Sequence, residues 1–235
     1  MRLKTGGELA LWRASHQANI ACKKAIERAI RNHHHGAFLE ENCLQSVLQN
    51  FGYKRTAWVL ANTVQQLDGD SRISGQNQSW ASQTYIPPDK RNTMEFIVTG
   101  HPAVVDRVVD QYRRAYQALG LFSPSQCRPD SFERLDYEGK VLVLSPDVLK
   151  ESYWNERAML WYAHDGFGCS PHAIGRSIRC TCLGDGEMTR WNRADFIGVL
   201  KDEFLPDWAA EKLAELKDID QTQSEHPAMD GMTMK

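Results

Sequence analysis

Through the first half of the chain, apolar residues recur every three to four positions, the repeat of one face of an α-helix. In RASHQANIACKKAIERAIR, Ala18, Cys22, Ala25, Ile26, Ala29 and Ile30 share one side while Lys23, Lys24, Glu27, Arg28 and Arg31 fall on the other, which predicts an amphipathic helix with a basic face. A second stripe, Leu44, Val47, Leu48 and Phe51, ends at Gly52, a residue suited to a left-handed helix stop. A third helix is expected from about Tyr53, carried by Ala57, Leu60, Ala61, Val64 and Leu67 and ended by Asp68-Gly69. GDSRISGQNQSWASQTYIPP follows; its turn-forming residues predict a loop with one short helical turn near Trp80. The clearest helical period opens at His101-Pro102 and runs through Val104, Val105, Val108, Val109, Tyr112, Tyr116 and Leu119 to Gly120.

Residues 121–139 carry two prolines and no period, which marks a boundary between modules. Beyond it the period shortens. Residues 140–144 and 177–183 read as strands, 158–163 as strand or helix, and Gly184-Asp185-Gly186 as a turn returning along 188–193. Short helices are expected from about Asp195 and, after Pro206, from Asp207. From Asp218 the chain is polar and patternless, as in a disordered tail. The pattern as a whole predicts an α+β protein with a helical N-terminal module over 1–122. A smaller mixed α/β module with a short antiparallel sheet covers 139–217, and the tail covers 218–235.

Length and composition agree with two packed modules: 235 residues, 42% hydrophobic and 25% charged, are ordinary globular values. No apolar run approaches the roughly 18 residues of a membrane span, and the first residues lack a signal-peptide pattern. A chain this large has no need of disulfide staples, so six cysteines read as reduced thiols and imply a cytoplasmic protein. The net charge of -2 conceals a polarity: residues 1–60 hold nine Lys/Arg against four Asp/Glu, and residues 201–235 hold four against nine. Such asymmetry suits a nucleic acid or a charged partner.

Among possible chemistries, the densest cluster is HDGFGCSPHAIGRSIRCTC, with His164, Cys169, His172, Cys180 and Cys182. Cys169, His172, Cys180 and Cys182 are the candidates for a tetrahedral metal. Against it stands the Cys-x-Cys pair, expected to divide its two side chains between opposite faces of a strand, so buried free thiols are the preferred reading. Cys169 with His164 or His172 as base would make a thiol nucleophile, but no third orienting residue is specified. GFG and GDG lack the frame of a phosphate loop, and DGD at 68–70 lacks the later acidic positions of a calcium loop. His33, His34 and His35 suit the negative end of the first helix. No cofactor is implied.

What remains is arginine among aromatics. Arg176, Arg179, Arg190 and Arg193 flank the expected hairpin, with Trp154, Trp161, Tyr162 and Trp191 nearby. On a strand, Trp191 enters the core as Arg190 meets a partner. The competing reading pairs these arginines with Asp185, Glu187 and Asp195 on a solvated surface. Lys23, Lys24, Arg28 and Arg31 on the first helix, together with Arg176, Arg179, Arg190, Arg193 and Trp191, are therefore the candidate partner-binding residues.

RASHQANIACKKAIERAIR, YKRTAWVLANTVQQLDGDSRIS and QNQSWA resemble an uncharacterised domain family of gut anaerobic bacteria, carried on conjugative elements and prophages. LWYAHDGFGCSPHAIGRSIRCTCLGDGEMTRWNRADFIGVL resembles a second uncharacterised module found attached to it. The resemblance brings no catalytic residues. It implies a non-enzymatic accessory protein of a mobile element, such as an inhibitor of a host defence nuclease of the anti-CRISPR or antirestriction type. Its partner would be that nuclease or its nucleoprotein complex, with DNA or RNA as a direct contact. The alternatives are a thiol- or zinc-dependent enzyme at the Cys/His cluster, and a module serving only assembly.

Overall fold

A computed structural model describes residues 6–36, 38–67, 69–87, 102–128 and 135–225. The chain divides into two compact units, Met1–Ala118 and Leu119–Lys235. As the sequence pattern implies, the first is built of helices and the second around a sheet.

In the first unit, α1 (Gly6–His33) buries Cys22, Ile26, Ala29 and Ile30, the apolar stripe of the sequence. A two-residue ladder, β1 (His34–His35) with β2 (Phe38–Leu39), turns the chain back toward α2 (Gln45–Gln66). Two helical segments meet within α2 at Gly52, whose φ of 76° and ψ of 170° belong to a region open essentially to glycine alone. The glycine stop expected there is thus real, and the chain resumes a helix directly after it. Val59, Leu60, Ala61 and Val64 from the second segment meet Val104, Val105, Val108, Val109 and Tyr112 of α4 (Pro102–Gln117) in one core. Arg55 holds α1 against this layer, donating to the Asn19 Oδ1 at 2.5 Å and the Ser15 carbonyl at 3.2 Å.

The segment expected to be a loop with one turn contains α3 (Gly75–Ser82), an eight-residue helix capped by Ser74. Its composition favours no helix; tertiary bonds hold it there. Asn77 is fully buried, donates to Asp106 Oδ1 at 2.7 Å and Asp110 Oδ1 at 2.9 Å, and accepts from Arg113 at 2.8 Å. Gln65 Nε2 ties α2 to the end of α3 through the Ala81 and Thr84 carbonyls.

The second unit begins earlier than the expected module. Phe122 and Cys127 are core residues, and β3 (Cys127–Arg128) is a strand of the sheet, although 121–139 reads as a boundary. The sheet continues with β4 (Val141–Leu144), the four-residue helix α5 (Glu156–Met159), β5 (Leu160–Asp165), β6 (Ser177–Cys182), β7 (Met188–Asn192) and β8 (Phe196–Leu200). Its order is β3-β8-β4-β5-β6-β7, every neighbour antiparallel. The helix expected near Asp195 is instead a three-residue 3-10 turn leading into β8. Burial decides the matter: Phe196, Val199 and Leu200 are enclosed, and Gly198 admits the carbonyl of Arg128 where a Cβ would collide.

Only residues 193–195 join β7 to β8, a reach of at most about 14 Å. In a flat sheet those strands would lie about 19 Å apart, four spacings at about 4.8 Å. The sheet therefore coils, and its concave side encloses Leu142, Leu144, Trp161, Ala163, Ile178, Cys180 and Phe196. Its other face is covered by α6 (Asp207–Glu225), which packs Ala209, Trp208, Leu213 and Leu216 against Val141, Val143, Leu160 and Tyr162. That helix extends to Glu225, so residues 218–225, expected to be disordered, are helical; 226–235 lie outside the described residues.

Candidate interaction surfaces

The basic face of α1 follows from helical spacing: Lys24, Arg28 and Arg31 stand at i, i+4 and i+7, opposite the buried stripe, and all three are exposed. None makes an ion pair or hydrogen bond among the described residues. Lys23 differs, since its ammonium lies 3.6 Å from the carboxylate of the largely buried Glu27. Beside this stripe, α1 and the first segment of α2 enclose a groove of about 540 Å³. Lys24, Arg28, Asn32 and His33 line one side and Asn50 and Phe51 the other, with no acidic residue in its lining. Two predicted cations thus meet two amides and an aromatic ring that the sequence reading assigned no binding role. Asn32 continues the i, i+4 series from Lys24 and could have been added to it; Asn50 and Phe51 reach the groove only through the packing of α2 on α1.

At the end of α1, His33 Nδ1 lies 2.7 Å from Glu40 Oε2 and His35 Nε2 lies 3.1 Å from Glu40 Oε1. The hydrogen bond with His33 is the chief reason that the Glu40 carboxyl titrates below its ordinary range. Only His33 ends the helix; His34 and His35 belong to the ladder that follows. A second cleft, of about 670 Å³, lies between α2 and α4 over Leu44, Leu48 and Tyr53. Gln111 on its wall already donates to the Glu40 carbonyl and accepts from the Cys43 amide, bonds that hold the fold.

The arginines of the second unit separate into different roles. Arg193 was expected on a binding surface, yet it is 3% exposed. Its Nη1 donates to the Gly168 and Cys169 carbonyls, both at 2.7 Å, its Nη2 donates to the Leu135 carbonyl at 2.6 Å, and its guanidinium lies 3.7 Å from the centre of the Tyr137 ring. It ties the loops at one end of the sheet together. Arg179 forms a forked pair with Asp165, whose carboxyl is lowered chiefly by that hydrogen bond. The carboxylate differs from the Asp185, Glu187 and Asp195 expected. Arg190 lies directly across the ladder from Arg179 and is exposed, as is Arg176. Trp191 turns inward against Trp161, ring centres 5.4 Å apart, and its buried Nε1 has no hydrogen-bond partner among the described residues. Arg190 and Trp191 thus take opposite faces, as alternation along a strand requires.

The four metal candidates are not brought together. His172 is exposed in the loop between β5 and β6, whereas Cys169, Cys180 and Cys182 are buried. Cys180 and Cys182 share the enclosed face rather than dividing between faces, because residues two apart on a strand point the same way. Burial pushes the Cys169 and Cys182 thiols up to about 11 and Cys180 to about 12. Thiols held neutral by burial are poor nucleophiles. His164 Nε2 is engaged with the Thr181 hydroxyl at 2.7 Å. Among the described residues, no group of three His, Cys, Asp or Glu is arranged to hold a metal ion, and no helix is long and apolar enough to cross a membrane.

Residues 2–117 match the family model described as "Protein of unknown function (DUF3849)". The match ends one residue short of Ala118, where the chain divides into its two units, so the matched segment coincides with the helical unit. No curated protein and no solved structure matches the chain.

Proposed function

We propose, with the DUF3849 domain at residues 2–117 as the starting point, that this chain is a non-enzymatic protein that binds nucleic acid, free or within a nucleoprotein complex. One observation carries the reading: Lys24 and Arg28 line a groove that contains no carboxylate, and neither is neutralised by a neighbour among the described residues. Cations left unpaired in a concavity are placed to meet phosphate oxygens and release counterions. Asn32 and Asn50 supply neutral donors and acceptors beside them. The raised thiols of the second unit favour a binding role over covalent catalysis. Six reduced, buried cysteines favour a cytoplasmic setting. The resemblance to domains of conjugative elements and prophages favours a host defence nuclease on its guide or target as the nucleoprotein.

An electrophoretic mobility shift with the full chain and short labelled DNA and RNA at about 50 mM salt tests this reading. A retarded band that fades by about 200 mM salt is expected. No retardation of any nucleic acid at the lower salt refutes it.

A further inference from the structure

We infer that the α1/α2 groove takes an unpaired strand rather than a duplex, with Phe51 as the platform on which a base stacks. The inference rests on the nucleic-acid reading above and names its substrate class. Lys24 and Arg28 stand one helical turn apart on one wall, about 6 Å along the axis. Such spacing lets them follow successive phosphates. Across from them are the ring of Phe51 and the amide of Asn50, with Asn32 and His33 closing the end of the α1 wall. Cations, amides and an aromatic ring in one concavity meet the needs of a single strand: phosphates, base edges and an exposed base face.

A duplex uses such a surface poorly. Its bases are stacked on one another and present no face to a side chain, so Phe51 would contribute nothing. A basic helix that reads duplex DNA projects its side chains into a groove of the nucleic acid. Here Lys24 and Arg28 line a concavity of the protein, formed with α2. The groove volume of about 540 Å³ is that of a pocket for a small ligand. Phe51 is half-buried, lines the groove and also packs against the core of the helical unit, which fixes its position. Asn50 is likewise held, its Nδ2 donating to the Ser46 carbonyl at 2.7 Å and leaving its Oδ1 for a ligand.

The test is fluorescence anisotropy with the full chain at fixed salt, comparing a labelled 12-nucleotide single strand with the same sequence as a blunt duplex. Phe51→Leu keeps an apolar side chain against the core and removes the ring. Lys24→Gln/Arg28→Gln removes the cations from an exposed surface. The single strand is expected to bind at least tenfold more tightly than the duplex. Phe51→Leu should weaken the single strand about tenfold, the loss typical of one stacked base, and leave the duplex unchanged. Equal affinity for the two forms, or a Phe51→Leu variant that binds the single strand as well as the parent, overturns the inference while the nucleic-acid reading stands. Absence of binding to either form overturns both.

Discussion

Arg193→Met removes a cation that the sequence places beside a surface arginine cluster and the structure places inside the sheet unit. Arg193 is 3% exposed, and its guanidinium donates to three carbonyls, those of Gly168, Cys169 and Leu135, over the ring of Tyr137. Hydrogen bonds to a charged donor contribute ~1.5–3 kcal/mol each, so the gross loss is ~5–9 kcal/mol. Removing the charge also relieves its own desolvation, and methionine refills part of the space. A net destabilisation of ~3–4 kcal/mol is expected, comparable to leaving buried polar groups unpaired. Arg179→Ala is the control: its pair with Asp165 is on the surface, and the loss should stay below ~1 kcal/mol. The assay is urea unfolding followed by near-ultraviolet circular dichroism, in which the edge-to-face Trp161 and Trp191 pair reports on this unit. With a slope of ~1.5 kcal/mol per molar urea, Arg193→Met lowers the midpoint by ~2 M. Arg193→Lys should recover less than half, because an ammonium is compact and cannot span the three acceptors as a planar fork does. Equal midpoints for Arg193→Met and Arg179→Ala would refute the reasoning and return Arg193 to the binding surface.

Other expectations follow from the same geometry. Asn77→Ala removes a fully buried amide that bonds Asp106, Asp110 and Arg113 together, and should lower the melting temperature of the helical unit by ~10 °C or more, seen by calorimetry. Gly52→Ala forces a side chain into a glycine-only conformation and should cost ~1–3 kcal/mol in urea unfolding, whereas Gly75→Ala, within α3 and with open space for a Cβ, should be neutral or stabilising. All six thiols have folded pKa values raised from 9.0 to about 11 or about 12 by burial. A raised pKa favours the neutral folded form, so this stabilisation is complete below pH 9 and is lost as the pH climbs toward 11 to 12. Unfolding free energy should fall across that window, and a disulfide reagent at pH 8 should label all six cysteines only after denaturant is added.

Periodicity made the helices of the first unit legible because each buries one continuous stripe. α1, both segments of α2 and α4 carry theirs as written, and Gly52 marked the break because no other residue tolerates that backbone. α3 was not legible: Gly75, Asn77, Ser79 and Ser82 favour turns over helix, and the bonds that hold Asn77 come from residues about thirty positions away. β8 was hidden for a related reason, since FIGVL is short, apolar and buried on both faces, with no alternation to separate strand from helix. At the sites, charge and helical spacing identified Lys24 and Arg28, but the groove that gives them a use needed the partner helix. Arg179 and Arg193 look alike in the sequence and differ because one side chain meets Asp165 at the surface and the other is enclosed by carbonyls. Burial is a property of the coiled sheet, and no local pattern carries it.

Whether Lys24 and Arg28 bind phosphates is decided by the dependence of single-strand affinity on salt, compared between the parent chain and Lys24→Gln/Arg28→Gln. If both cations neutralise phosphates, the slope of log affinity against log salt becomes shallower by ~1.4, or ~0.7 for each phosphate no longer neutralised, while circular dichroism and melting stay unchanged. An identical slope in the two proteins would show that Lys24 and Arg28 do not meet phosphates.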